Sequence, residues 1–331
     1  MKPLVSVITP CYNGEKFVHR ILDSILEQTY PNIEFIFVND GSTDHTGSIV
    51  QSYADRFKQA GISFVYIYQE NSGLAATVNR GLAVFKGKYV TWPDSDDFLA
   101  RDSIACKAEF LESNPEYKMV RSNGVFIRED TLKAAGRISN DENRFNEDIF
   151  KDLYMGRTYL CCGCYMIEAK TFFELYPDRQ IYGSREGQNW QLLLPVASVS
   201  KCGYIDKDLY CILLRSGSLY RAHHSFREQM DRIDEHMEIL RHALKRSRCD
   251  YTECMQSVNE KYARVRLNLA LKYHHSDVVK EQYRYLKNNS DITRADKRAY
   301  FWGSSKILNF IYELITLPGR GYNRIKRMLK K

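Results

Sequence analysis

LVSVITPCYNGEKFVHRILDSILEQTYPNIEFIFVNDGSTD, residues Leu4–Asp44, reads as a strand, a helix and a second strand. Leu4 to Thr9 is a β-branched apolar run closed by Pro10, Cys11, Tyr12, Asn13 and Gly14, the pattern of a buried strand ending in a turn. Phe17, Val18, Ile21, Leu22, Ile25 and Leu26 recur at helical spacing, which predicts a helix from about Glu15 to Gln28. Ile33 to Val38 is the second strand, and Ser42 or Thr43 is suited to cap a following helix that runs to about Gln59. The unit then repeats. Ser63 to Tyr68 leads through Asn71-Ser72-Gly73 into a helix over Leu74 to Phe85, and Lys88 to Trp92 is a fourth strand. Strand and helix alternate with polar, Gly-containing links after each strand, which predicts an α/β fold: a mostly parallel sheet flanked by helices.

Ligands of such sheets bind at the carboxyl ends of the strands. Those ends carry Pro10, Tyr12 and Asn13, then Asp40, then Asn71 and Gly73, then Asp94 and Asp96, so the four clusters should face one cleft. In PDSDDFL, Asp94, Asp96 and Asp97 fall within four residues. Carboxylates this close repel one another unless a cation or hydrogen-bond donors sit between them. Hard oxygen donors of this kind suit Mg2+ or Mn2+ shared with substrate phosphates. A solvated acidic turn capping a helix that begins near Phe98 has the same composition. With the other three clusters, however, the turn makes a site for a nucleotide diphosphate. Tyr12 is suited to pack on a base, Asp40 to accept from a base N–H, and Asp94 to hold a ribose hydroxyl.

SVITPCYNGEKFVHRILDSILEQTYPNIEFIFVNDGSTDHT, then ENSGLAATVNRGL, then GKYVTWPDSDDFL together resemble the family 2 glycosyltransferases, whose fold is the Rossmann-like GT-A fold. The resemblance is close to about residue 120 and loose to about residue 215. It implies a nucleotide-sugar donor, most often a UDP-sugar, and a divalent cation, Mn2+ or Mg2+, held by a DxD motif. By that resemblance Pro10, Tyr12 and Asn13, followed by Glu15, match the nucleotide-binding first loop, and Asp40 matches the acidic residue at the base. Asn71, Gly73 and Asn79 match the diphosphate side. Asp94 and Asp96, flanking Ser95, match the DxD pair, with Asp96 as the metal ligand and a catalytic residue. Inverting members supply a general base from a Glu-Asp pair opening a helix in the acceptor half. Aligned on Trp190, this chain has Gln188 and Asn189 there, and neither amide can act as a base. The nearest carboxylate is Glu186, the candidate base, although a surface Glu186–Arg185 pair explains it equally well.

The 331 residues, 44% of them hydrophobic, suffice for one large α/β domain plus a helical appendage. We place the GT-A domain at 1–221, with a nucleotide-sugar half to about residue 100 and an acceptor half beyond, and a helical C-terminal extension at 222–331. No apolar run approaches the ~20 residues that span a bilayer, and no signal peptide precedes the first strand, so a cytoplasmic protein is expected. The odd count of 9 cysteines argues against a disulfide framework, and Cys161, Cys162 and Cys164 lack zinc-site spacing, so packed thiols are expected. His223-His224 and His274-His275 are adjacent pairs whose side chains should diverge, and neither reads as a ligand site. Met230, Ile233, Met237, Leu240 and Leu244 mark an amphipathic helix, with further helices near Tyr262–Tyr273 and Val278–Lys287.

Ile307, Leu308, Phe310, Ile311, Leu314 and Ile315 form an apolar stripe. It is followed by Arg320, Arg324, Lys326, Arg327, Lys330 and Lys331, with no acid after Glu313. That pairing suits peripheral contact with the anionic inner face of a membrane, and equally a helix packed on the catalytic domain with a solvated tail. The net charge of +7 comes largely from such clusters, and no nucleic-acid motif is present. The reading is a glycosyltransferase acting on a saccharide or lipid-linked acceptor in cell-surface polysaccharide biosynthesis. The alternatives are a relative that binds a nucleotide-sugar without turnover and a nucleotidyltransferase, although the latter's Gly-rich phosphate loop is missing from Leu4 to Gly14.

Overall fold

The computed structural model describes residues 2–214 and 225–316. Strands β1 (Val5–Cys11) and β2 (Ile33–Asp40) are buried at every position, as strands covered on both faces must be. Pro10, which has no N–H to give, is tolerated in β1 because its neighbour on one side pairs only as far as Val7. Helix α1 (Val18–Leu26) buries Val18, Ile21, Leu22 and Ile25 against the sheet. It starts later than Glu15, since residues before it form a loop tied to the next strand end. The helix expected up to Gln59 is two helices, α2 (Thr46–Ser52) and α3 (Ala54–Gln59), with Tyr53 between them. Neither Ser42 nor Thr43 caps α2. Asp44 Oδ1 accepts from the Thr46 N–H at 3.0 Å, while Ser42 and Thr43 bond to Asn13.

Strand β3 (Ser63–Gln69), helix α4 (Leu74–Val84) and strand β4 (Tyr89–Thr91) follow as expected. The helix expected near Phe98 does not start there. Phe98–Leu99 is a short strand, β5, and α5 begins at Ser103 and ends at Ser113. The chain continues through β6 (Met119–Arg128), β7 (Ala134–Arg137), α6 (Phe150–Met155), β8 (Tyr165–Glu168), α7 (Ala169–Leu175), α8 (Gln188–Ala197) and β9 (Cys202–Leu214). Among the described residues these strands form one nine-stranded sheet in the order β3-β2-β1-β4-β8-β6-β9-β5, with β7 paired to β6. β1 to β4, β6 and β9 all run one way, and β5, β7 and β8 run against them. The carboxyl ends of the main strands therefore share one edge of the sheet.

The remaining helices are α9 (Phe226–Arg246), α10 (Tyr251–Tyr273), α11 (Ser276–Asn289), α12 (Arg294–Gly303) and α13 (Lys306–Thr316). The chain divides into two compact units. One holds the sheet and its helices together with Ile239–Tyr251; the other holds α9 up to Glu238 and the chain from Thr252. The second unit has its own core of Ala263, Leu267, Ala270, Leu271, Val279, Leu286 and Ala299. A reciprocal cap, Thr293 Oγ1 with the Asp296 N–H and Asp296 Oδ2 with the Thr293 N–H, opens α12. His274 and His275 diverge: His274 Nδ1 lies 2.8 Å from Asn309 Oδ1, and His275 stacks on Phe226. On α13, Ile307 (73%), Ile311 (38%) and Ile315 (63%) of the stripe are exposed, while Leu308, Phe310 and Leu314 are half-buried. His223-His224 and the basic run from Arg320 lie outside the described residues.

Candidate active site at the strand ends

The loop after β1 and the loop after β2 are sewn together by side chains. Asn13 takes a left-handed backbone (φ 51°), and its Oδ1 accepts from the Thr43 N–H at 2.8 Å. In return the Asn13 N–H donates to Ser42 Oγ, the Gly14 N–H to Thr46 Oγ1 and the Glu15 N–H to Asp44 Oδ2. Glu15 Oε2 accepts from the His45 N–H at 3.1 Å. Burial raises the Asp44 carboxyl, but its bonds from Thr46 and Glu15 outweigh that and hold it below the ordinary value. Between these anchors Tyr12 stands 52% exposed, its ring free of the core. Of the first-loop residues singled out from sequence, Asn13 and Glu15 build the loop and Tyr12 is presented by it.

Asp40, at the end of β2, is only 4% exposed and clamps the next loop. Its Oδ1 accepts from Gln69 Nε2 and the Ser72 N–H, and its Oδ2 accepts from the Gly73 N–H at 3.1 Å. Asn71 Nδ2 donates to the Asp40 carbonyl. Gly41 is required at this crossing: φ is +72°, and a Cβ there would fall 2.6 Å from the Asn71 nitrogen. Gly73 opens α4 at φ +89°. Asn79 Oδ1 and Nδ2 bond the Ile181 N–H and carbonyl, which docks the 181–187 segment over the first turns of α4. The Ala75 N–H donates to the Ser184 carbonyl there as well.

The acidic turn is built differently. Asp97 is buried, with Oδ1 accepting from the Leu213 N–H at 3.0 Å and Oδ2 from the Tyr210 hydroxyl at 2.9 Å. Those bonds draw the chain onto β9 and explain the strand at Phe98–Leu99 where a helix was expected. Asp94 and Asp96 remain half-buried. Burial, with the Asp96 charge adding and a Cys162 hydrogen bond opposing, pushes the Asp94 carboxyl up to about 6. Asp97 is raised well above the usual range by burial and by Asp96 and Asp94. Ser95 hydrogen-bonds the buried Cys11, whose thiol burial nonetheless pushes up to about 12. Three carboxylates thus crowd one turn at the sheet edge.

Among the described residues no three Asp, Glu, His or Cys side chains converge as a ready-made cation cage. The hard oxygens of Asp94 and Asp96 fit instead a cation that takes its other ligands from substrate phosphates.

At the start of α8, Asn189 is a structural pin. Its Oδ1 accepts from Trp92 Nε1 at 2.7 Å and its Nδ2 donates to the Leu160 carbonyl at 2.8 Å, which ties α8 to the end of β4. Gln188 is buried. Glu186 is half-buried on the segment beside Gly73, and its carbonyl accepts from Ser184 Oγ. All nine cysteines are free thiols, and Cys162 and Cys164 are buried. Lys107, also buried, donates to the Gly163 carbonyl at 2.6 Å and to Ser103 Oγ at 3.0 Å; burial lowers its amine to about 8. Sequence reading missed Tyr210 and Cys162 as partners of the acidic turn. The cysteine cluster was visible, but nothing local joined it to residues 94–97.

The likeness to known proteins follows the same segments. Glycosyltransferase GlyA of Streptococcus pneumoniae serotype 4 is 32% identical over 228 residues, which cover 66% of this chain and 32% of that protein's length. The chain thus spans about a third of the relative it matches. Among solved structures, Staphylococcus aureus TarS 1–349 in complex with UDP-GlcNAc superposes with a TM-score of 0.60 at 17% identity, covering 95% of this chain and 92% of that one. Mannosyltransferase PcManGT of Pyrobaculum calidifontis, in complex with GDP-Man and Mn2+, gives 0.54 at 15% identity, over 95% and 88% of the two chains. A family model described as Glycosyl transferase family 2 matches residues 6–176, just over half the chain, from β1 through β8 and across the acidic turn. The chain belongs to glycosyl transferase family 2, and its fold is that family's GT-A fold.

Proposed function

We propose that this chain transfers a hexosyl group from a UDP-sugar to a saccharide or lipid-linked acceptor in cell-surface polysaccharide biosynthesis, with a divalent cation and with inversion at the anomeric carbon. The observation that carries the reading is the half-buried pair Asp94 and Asp96, crowded with Asp97 into one turn at the same sheet edge as the exposed Tyr12 ring. Tyr12 packs on the base, and Asp40 accepts from a base N–H or shapes the loop beneath it. Asn71 and Gly73 line the diphosphate, with Asn79 docking the 181–187 segment beside them, and Asp94 and Ser95 hold the ribose side. Asp96 ligates Mn2+ or Mg2+, which when bound neutralises charge on the departing diphosphate. Glu186 takes the proton from the acceptor hydroxyl. The exposed Ile307, Ile311 and Ile315, followed in sequence by six basic residues, rest on an anionic membrane face next to a lipid-linked acceptor.

Calorimetric titration with UDP, GDP and CDP, with and without Mn2+, tests the reading. Tight, Mn2+-dependent binding of UDP is expected. Absence of binding by all three overturns it. Asn189 and Gln188 in place of a carboxylate pair favour a second reading, a nucleotide-sugar-binding relative without turnover. Failure to hydrolyse or transfer any UDP-sugar that binds would select that second reading.

A further inference from the structure

Tyr210 lies on β9, where its ring is buried against Gly163 and its carbonyl against Gly124. A Cβ at Gly163 would fall 2.1 Å from the ring, and one at Gly124 would fall 2.5 Å from the Tyr210 carbonyl oxygen. Leu99 of β5 pairs with Tyr210 on the other side. The side chain so fixed ends at the acidic turn. Its hydroxyl accepts from the Asp94 N–H at 3.2 Å, donates to Asp97 Oδ2 at 2.9 Å and lies 3.7 Å from Cys162 Sγ. A phenol has one proton and lone pairs to spare, so it can serve the N–H and the carboxylate at once, in the polarity each needs. Asp97 Oδ1 closes the circuit through the Leu213 N–H. The residues on either side of Ser95 and Asp96 are thus held by one phenol, more than a hundred residues away in sequence.

We propose that Tyr210 is the positioning residue of the cation-binding turn: its hydroxyl fixes Asp94 and Asp97 and thereby the direction in which Asp96 presents its carboxylate. This rests on the transferase reading above. Tyr210 touches neither donor nor cation in this account and acts only through the turn. Removing the hydroxyl leaves a buried carboxylate oxygen and a main-chain N–H unpartnered, and the turn must move to recover them.

The test is UDP affinity with and without Mn2+ for the wild type, Tyr210→Phe and Tyr30→Phe, below the melting temperature of all three. Tyr30 is a matched control, a buried tyrosine whose hydroxyl donates to the Pro3 carbonyl just before β1. In Tyr210→Phe the gain in UDP affinity due to Mn2+ should fall roughly tenfold, while affinity without metal and the Tyr30→Phe values stay at wild type. An undiminished Mn2+ gain in folded Tyr210→Phe overturns the proposal. If that variant does not fold, Asp97→Asn serves. Its Oδ1 still accepts from Leu213, but its amide cannot take the Tyr210 hydroxyl proton, so the bond that holds the turn is lost in its present polarity, and the same selective loss is expected. An unchanged Mn2+ gain there overturns the proposal equally. A wild type whose UDP affinity ignores Mn2+ overturns both the transferase reading and this one.

Discussion

The loops after β1, β2 and β3 and the turn after β4 both place carboxylates at the same edge of the sheet, but they treat them in opposite ways. Asp40 and Asp44 accept from main-chain N–H groups of neighbouring loops, so their charge is spent holding backbone in place. Asp94 and Asp97 are pushed up by burial and by Asp96. The first region is finished scaffold. In the second, Asp97 is likewise bonded, to the Leu213 N–H and the Tyr210 hydroxyl, while Asp94 and Asp96 stay half-buried at the sheet edge, with Cys162 against Asp94. Like charges crowded at a strand end are the mark of a site waiting for a partner. The composition of the two regions is alike; the crowding of like charge separates them.

That contrast is broken most directly at Asp96. Asp96→Asn should lower sugar transfer at least ~1000-fold, about 4 kcal/mol, and remove the Mn2+ dependence of nucleotide binding, while the melting temperature stays close to wild type. Loss of folding instead would make Asp96 scaffold like Asp40. The opposite pattern is expected at Asp40. Asp40→Ala strands the N–H groups of Ser72 and Gly73 and leaves Gln69 Nε2 only its bond to Thr77 Oγ1, at a cost of about 3 kcal/mol in urea unfolding, and raises the donor KM because the 71–73 loop loses its clamp.

Lys107 sharpens the comparison through pH. Its amine titrates near 8 in the fold against an ordinary 10.5, so between those values the unfolded chain holds a proton that the fold has released. Stability from this group therefore rises with pH from about 8 towards 10.5, and below 8 its full cost is present. Buried thiols such as Cys11 and Cys202, raised to about 12, act in the reverse sense above their ordinary 9.0. The difference between wild type and Lys107→Met isolates the lysine. Wild type should gain on the order of 2 kcal/mol relative to the variant between pH 7 and 9.5, read by urea unfolding.

Much of this was legible in the sequence because it depends on near neighbours. The runs at Leu4–Thr9 and Ile33–Val38, the helical spacing of Val18, Ile21, Leu22 and Ile25, and the turn residues after each strand gave the parallel sheet and the edge where the site lies. The roles of the polar residues were less accessible. Asn13, Glu15, Asp40 and Asn79 have side chains that bond a ligand or a loop equally well, and only the backbone path shows the loops they hold. The partners of the acidic turn were out of reach for a different reason. Tyr210 and Leu213 meet Asp94 and Asp97 only once β5 pairs with β9, and the β6–β9 register shifts between Ser122 and Val125. That same pairing moved the helix start from Phe98 to Ser103.

Asn189 tests whether the start of α8 follows the finished or the waiting pattern. Were it a vacant base position, Asn189→Asp would restore a carboxylate and raise turnover. The bonds it makes argue otherwise. An aspartate keeps the acceptor for Trp92 Nε1, but sets its second oxygen against the Leu160 carbonyl that Asn189 Nδ2 now serves. Two acceptors face each other with no proton between them, which costs about 1 kcal/mol and loosens α8 from the end of β4. Asn189→Asp should therefore lower both the melting temperature and turnover, with Asn189→Gln no better because its longer amide cannot reach both partners from the same backbone. A rise in turnover would place the base at residue 189 and remove Glu186 from that role. A fall assigns Asn189 to the scaffold and leaves Glu186 as the carboxylate to remove next.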